Sequence, residues 1–385
     1  AMKLTDEKLK FLKTIIDIPS VGADPEPGAP FGKKSREVLE VFLNDAKSKG
    51  FTTNVFNDKV GYVEYGSGDK TIGIICHLDV VPAGEGWETN PFELTIKNNS
   101  LYGRGIIDDK GPAVASYFAM QKLMEEKIDL GYKVRLILGT DEERTCDCMA
   151  EYVSNPDTVI PDIGFTPDAE FPAIFAEKGI LQVIFKTSGV DGIEVTGGNA
   201  PNMVPASCHA VIDGVSKEFA GKSAHGSKPE LGINAILKCV ESLENKTDLL
   251  EFIRYFFLGY KSVELTGCDF SDDSGALTTN LGMIKINKDI QSCSLDIRYP
   301  ASYEYDKLVD CLKKASEKFN LEFEVGHHIK PLMFDKNSAH IKAIMNSWNK
   351  NIERFSNLPS DLTPYHEAIA IGGGTYARHV PNIVA

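Results

Sequence analysis

Apolar residues recur at helical spacing over 35–49, where Val38, Leu39, Phe42, Leu43 and Ala46 share a face and Gly50 supplies a stop. Residues 70–81, KTIGIICHLDVV, are apolar and β-rich, the pattern of a strand buried on both faces. The spacing predicts a second helix over 113–127. Lys133–Gly139, KVRLILG, then places Val134, Leu136 and Leu138 on one face of another strand, and a short apolar stretch follows at 160–165. Strands alternating with helices in this way predict an α/β sheet with covering helices.

The texture changes after about residue 180. Residues 188–204 are rich in Gly, Asn and Pro, and helices are predicted over 234–244 and 305–319. Residues 292–299, SCSLDIRY, read as a strand in which Ser294, Asp296 and Arg298 alternate with apolar neighbours. The last part returns to an apolar strand at 368–371, followed by Gly372, Gly373 and Gly374. The predicted organisation is one domain whose first part is 1–180 and second part 332–385, interrupted by an α+β domain over 181–331.

Composition changes this picture mainly by exclusion. A chain of 385 residues fits two domains or three. With Lys plus Arg at 41 and Asp plus Glu at 55, the net charge is −14, which argues against a nucleic-acid binder. No apolar run reaches the roughly 18–20 residues of a membrane span, and the N-terminal segment lacks the pattern of a secretory signal. Eight cysteines in so long a chain, none in a Cys-x-x-Cys pair, do not form a disulfide framework. The expectation is a reduced, cytoplasmic protein.

Four segments carry candidate chemistry, each after a predicted strand or before a predicted helix. His77 and Asp79 lie two apart at a strand end, so an imidazole and a carboxylate can converge there. Asp108-Asp109 follows a glycine-bearing loop, either as site acids or as a helix N-cap and first-turn acid. Glu142-Glu143 follows the Lys133–Gly139 strand, where adjacent glutamates can divide metal binding and proton transfer, or can simply start a helix. Asp168 lies in a turn after 160–165. One histidine with several carboxylates suits Zn²⁺, Mn²⁺ or Co²⁺.

Taken together, HLDVVPAGEGWETNPF (77–92), YGRGIIDDKGP (102–112), GTDEER (139–144), PDAEFP (167–172), GGNAPNMVP (197–205), GKSAHGSKPELGINA (221–235) and AIGGGTYAR (370–378) resemble the M20 family of metallopeptidases, and within it the PepV-type dipeptidases. The resemblance implies an α/β zinc-peptidase (phosphorylase/hydrolase-like) catalytic domain with an inserted α+β lid domain, holding two zinc ions or, with the same ligands, Mn²⁺ or Co²⁺. By motif, it makes His77 and Asp168 ligands of one metal, Glu143 a ligand of the other, and Asp108 the bridge, with the following peptide often cis. Asp79 would orient His77, and Glu142 would be the general base. In the lid, His225 would stabilise the oxyanion and Arg298 would hold the substrate carboxylate. Asn280 is a further polar lid contact, and Gly373, Gly374 and Thr375 are candidates for binding the substrate C-terminus.

The family pattern also calls for a histidine ligand after the GGGTYAR motif. Neither His366 nor His379 matches its place, and the expectation is that it lies beyond Ala385. The implied activity is hydrolysis of small peptides by a chain that touches neither nucleic acid nor membrane, with a monomer favoured. An N-acyl amino-acid deacylase on the same scaffold and an inactive binding homologue are the rival readings. A nicotinamide dehydrogenase is a poor third reading, because no predicted strand is followed by a Gly-x-Gly-x-x-Gly loop. His327-His328 reads as a surface pair, Cys146 and Cys148 as free thiols, and 66–71 as a turn rather than a phosphate loop.

Overall fold

A computed structural model describes residues 5–244, 246–352 and 367–385. The chain divides into two compact units. One comprises Ala1–Ile174, Lys336–Ala368 and Thr375–Ala385, the other Phe175–Asp335 and Ile369–Gly374.

Among the described residues the first unit is built on a six-stranded sheet. Its order is Thr52–Phe56, Val60–Gly66, Lys133–Gly139, Thr71–His77, Ile163–Phe165 and Ile383–Val384. The first two strands form an antiparallel hairpin laid on Lys133–Gly139, and the remaining pairings are parallel. The strand predicted over 70–81 ends at His77. Beyond it the chain peels away, although the Leu78 N–H still reaches the Gly139 carbonyl at 2.9 Å.

The helix Lys33–Ser48 buries Val38, Leu39, Phe42, Leu43 and Ala46, the face its spacing predicts. The helix predicted over 113–127 starts earlier, as Lys110–Glu125. Pro112 falls in its first turn, where a missing N–H costs nothing. Phe11, Phe42 and Tyr117 pack with ring centroids 5.2, 5.3 and 5.5 Å apart, at the centre of the core beneath these helices.

Among the described residues the second unit is built on a seven-stranded antiparallel sheet. Its order is Val215–Ala220, Ser207–Ile212, Ile193–Gly197, Thr278–Ile286, Ile290–Tyr299, Gly179–Ser188 and Glu322–Ile329. The region 188–204, loop-like in composition, thus contributes a sheet strand at Ile193–Gly197. Along Ile290–Tyr299, Cys293, Leu295 and Ile297 join the apolar core with the helices Ala235–Ser242, Asp248–Ile253 and Tyr305–Lys318. Ser294, Asp296 and Arg298 alternate with them, as the pattern predicts. Residues 369–374 cluster with this unit rather than the first, because Ile369–Ile371 joins a small sheet with Ile174–Glu177 and Leu332–Met333.

Phe42 is fully buried among aromatic rings, so Phe42→Ala should leave a cavity and destabilise the first unit by about 3–5 kcal/mol. Urea unfolding followed by far-UV circular dichroism checks this, and an unchanged midpoint would contradict the packing described.

Candidate metal centre

Three strands of the first unit bring their loops out together. His77 pairs with Gly139 and Ile74 with Phe165 in parallel register. Segments 77–79, 140–143 and 166–168 therefore leave the sheet at the same edge, the carboxyl ends of the strands, where open α/β sheets build their sites. Close packing behind the strands fixes this edge. A Cβ on Gly139 would lie 2.3 Å from the Tyr376 hydroxyl, so only glycine admits that ring.

His77 has no exposed surface. Its Nδ1 lies 2.9 Å from the backbone carbonyl of Asp79. A carbonyl only accepts, so Nδ1 carries the hydrogen. Nε2 then faces Asp108 Oδ1 at 2.8 Å and Asp168 Oδ1 at 3.6 Å. In the neutral ring this sets a lone pair against two carboxylates, an arrangement that needs a proton or a metal cation between them. Burial alone would lower the His77 pKa, but hydrogen bonding to Asp108, Asp168 and Asp79 raises it well above the usual histidine range.

Asp79 is buried and does more than orient a ring. Its carboxylate lies 3.5 Å from His77 Nδ1, yet its two oxygens accept the backbone N–H groups of Glu142 and Glu143 at 3.1 and 3.0 Å. The shorter contact to the imidazole comes from the Asp79 carbonyl. The His-x-Asp segment is thereby tied to the glutamate loop.

The Asp108–Asp109 peptide is cis. Asp108 is the exposed member and Asp109 the fully buried one. Asp109 occupies the N-cap position of Lys110–Glu125 but makes no side-chain cap. Instead its Oδ2 accepts the His77 N–H at 3.0 Å. Its Oδ1 is buried without a hydrogen-bond partner among the described residues. Ligand atoms within 4.8 Å of one another form two groups sharing His77, one with Asp108 and Glu143, the other with Asp109 and Asp168. The motif gives Asp108 a role and Asp109 none, although both stand as candidate site acids in the sequence; adjacency to Asp108 was the available signal for Asp109.

Burial, with neighbouring carboxylates adding to it, pushes the Glu142 carboxyl up to about 8 and Glu143 up to about 7. Burial also raises Asp168, and burial together with the Asp168 charge raises Asp109. Lys110 does not supply a full counter-charge at neutral pH. Its Nζ donates to the Ile18 carbonyl at 2.6 Å, and burial pulls its pKa down to about 7. The donor set of one imidazole with several carboxylates, and the orphaned Asp109 oxygen within it, fit a borderline-to-hard divalent cation such as Zn²⁺, Mn²⁺ or Co²⁺.

The other predicted residues are placed as follows. In the second unit, His225 Nδ1 accepts the Ser227 N–H at 3.2 Å and lies 2.7 Å from the Ser227 hydroxyl. Its neutral ring therefore carries the hydrogen on Nε2, and burial with the Arg298 charge lowers its pKa. Arg298 is buried. It donates from Nε and one terminal nitrogen to Asp296, at 2.6 and 3.2 Å, and from the other to the Gly372 carbonyl at 2.6 Å. Asn280 donates its side-chain N–H groups to the carbonyls of Pro201 and Met203, both at 2.8 Å. Gly373 and Gly374 form the bend after Ile369–Ile371, and Thr375 Oγ1 accepts the Ala377 N–H, capping the short turn Tyr376–Arg378.

His379 is half-buried and belongs to neither ligand group, and His366 lies outside the described residues. His327 is exposed, as its sequence context suggests, while His328 is partly buried. It stacks on Tyr305 at 3.9 Å and bonds the Tyr299 hydroxyl at 2.8 Å, because the strand Glu322–Ile329 carries it against both rings. Cys146 and Cys148 are free, and Cys148 Sγ contacts the Tyr376 hydroxyl at 2.9 Å.

Cation binding requires ionised carboxylates. In the metal-free protein Glu143 and Glu142 hold protons until pH rises through about 7 and about 8, so metal affinity should climb across that window and binding near neutral pH should release protons. Calorimetric titration with Zn²⁺ or Mn²⁺ in buffers of different ionisation heat measures this, and an observed heat independent of buffer would refute it. Both carboxyls sit above their ordinary value of 4.5, so their contribution to metal-free stability is fully present below that value and is lost as pH rises from there through about 7 for Glu143 and about 8 for Glu142.

Comparison with known proteins agrees with this geometry. The model of peptidase family M20/M25/M40 matches residues 73–371. A relative from Staphylococcus epidermidis named "Putative dipeptidase" is 32% identical over 433 residues, covering 100% of this chain and 90% of that protein. A Staphylococcus aureus relative of similar name is 32% identical, over 99% and 89%. The M20 family metallo-carboxypeptidase of Sulfolobus solfataricus superposes with a TM-score of 0.62 at 18% identity, over 99% of this chain and 91% of that one. The Saccharomyces cerevisiae di-peptidase Dug1p gives 0.60 at 13%, over 99% and 88%, and at these identities the likeness is one of fold. The chain is a metallopeptidase belonging to peptidase family M20/M25/M40.

Proposed function

We propose that the chain is a dipeptidase that works with two divalent cations, Zn²⁺ foremost and Mn²⁺ or Co²⁺ as alternatives, on unblocked dipeptides. The observation that carries this reading is the convergence of Asp108, Asp168 and Glu143 on the buried His77, with Glu142 held beside them through Asp79. His77 and Asp168 would hold one cation and Glu143 the other, with the Asp108 carboxylate as a ligand available to the pair. Asp109, within ligand reach of His77, supports the first group. Bound cations supply Lewis acidity toward the scissile carbonyl and make water a better nucleophile.

Glu142 takes the proton of the attacking water and returns it to the leaving amine. The backbone of its loop is held by the Asp79 carboxylate, which accepts the Glu142 and Glu143 N–H groups. His225 presents Nε2–H to the developing oxyanion, a role supported by the Ser227 contacts that select this tautomer. Arg298 keeps one N–H on each terminal nitrogen uncommitted among the described residues, and these bind the substrate carboxylate. The dipeptidase assignment is supported by the names of the Staphylococcus relatives. A cytoplasmic location belongs to the same reading, because all eight cysteines are unpaired.

Glu142→Gln should retain bound metal while turnover of dipeptides falls by about 10²–10⁴-fold. Metal content by mass spectrometry and hydrolysis rates of Leu-Ala check both halves, and near-wild-type turnover would remove Glu142 from its role. A parallel assay with N-acetyl amino acids separates the dipeptidase from a deacylase, and faster cleavage of the acylated compounds would overturn the substrate assignment.

A further inference from the structure

His225 stands on a segment with little regular structure. It pairs with Met203 through a single bridge, and Lys222 pairs with Ile233 through another. Two backbone bonds join the segment to residues 200–204. The Val204 N–H reaches the Ala224 carbonyl at 2.8 Å, and the Gly226 N–H reaches the Asn202 carbonyl at 2.7 Å. The placement of His225 thus depends on what holds 200–204 in turn.

What holds it is the strand Thr278–Ile286. Asn280 is 1% exposed, and its amide nitrogen donates to the Pro201 and Met203 carbonyls, on either side of Asn202. The strand is shaped for this approach. It bulges between Leu281 and Met283, and a Cβ on Gly282 would lie 2.2 Å from the Pro201 carbonyl oxygen. Gly198, at φ +77°, lets the same loop close on the strand from its other end, where a Cβ would sit 1.8 Å from the Gly282 oxygen. Asn234 adds a second tie, donating to the Leu281 carbonyl at 2.8 Å while capping the helix Ala235–Ser242.

We infer that Asn280 is a positioning residue, which fixes loop 200–204 on the sheet and through it sets His225 for the oxyanion. The inference rests on the role given to His225 above. Aspartate at 280 is nearly isosteric but offers the two carbonyls acceptors in place of donors. It should release the loop without opening a cavity.

The test is steady-state hydrolysis of Leu-Ala by the Zn²⁺-loaded wild type, Asn280→Asp, His225→Ala and the double variant. One oxyanion donor is worth about 10²–10³-fold in kcat, so Asn280→Asp should lose on the order of 10-fold or more in kcat with KM little changed. In the His225→Ala background the same substitution should add less than about 2-fold, as expected of residues acting as one unit. Multiplying effects, or a wild-type kcat for Asn280→Asp, would overturn the inference while leaving His225 in place. Unchanged kcat for His225→Ala would instead remove the oxyanion role itself. Hydrogen exchange on the wild type gives a readout independent of how any variant folds. The Val204 and Gly226 amides should be protected, and exchange at the rate of an open peptide would count against the anchor.

Discussion

Everything at the first unit's strand edge follows from how one imidazole spends its two nitrogens. His77 commits Nδ1–H to the Asp79 carbonyl, and this leaves Nε2 no choice but to face Asp108 and Asp168. Two unit charges about 4 Å apart repel by about 4 kcal/mol at the effective dielectric of a protein site. Several carboxylates gathered on one nitrogen are therefore costly unless something positive sits among them. Protonation of His77 and the raised carboxyls of Glu142, Glu143 and Asp168 are the protein's own response. A divalent cation answers the same need with more charge in less space, which is why repulsion in the bare site and affinity for metal have one origin.

The sheet makes that concentration of charge possible. Parallel register puts His77 beside Gly139, so the histidine and the two glutamates start from adjacent backbone positions. Asp79 then joins the loops by accepting two amides with one carboxylate. Behind them Tyr376 lies edge-on to the His77 ring at 6.2 Å, its hydroxyl on Cys148, filling the space that Gly139 leaves open. The site is thus supported by strand ends and one packed aromatic rather than by loops alone, the arrangement that holds reactive groups to a fixed geometry.

How much of this was legible in the sequence depended on whether a signal was local. Apolar periodicity found the helix Lys33–Ser48 and the strands Thr71–His77 and Lys133–Gly139, because burial of one face is written at fixed spacing. The four acid- and histidine-bearing segments were visible as strand-end chemistry, and their order identified the family. What could not be read was which neighbour each polar group would choose. The carboxylates of Asp79 and Asp109 both bind backbone amides far away in sequence, and no spacing rule reports a partner that is a peptide N–H. Residues 188–204 hid the strand Ile193–Gly197 because its two neighbours in the sheet, not its composition, make it one. Residues 369–374 were assigned by sequence to the first unit's return, yet pairing with Ile174–Glu177 draws them into the second.

The two units share a design rule despite their unlike sheets. Three of the groups given a role in the proposed chemistry have one side bound to the protein's own atoms and the other left for the reaction. His77 does this with Nδ1 and Nε2, and His225 does it with Nδ1 held by Ser227 and Nε2 carrying the hydrogen. Arg298 does it with a guanidinium already paired to Asp296, which removes the cost of burying an unpartnered cation before any substrate arrives. Orientation is fixed in each case by a bond that does not change during turnover. A group restrained in this way loses little further freedom when it engages a transition state, and that is how a strand end and a turn of chain can act with the accuracy of a folded core.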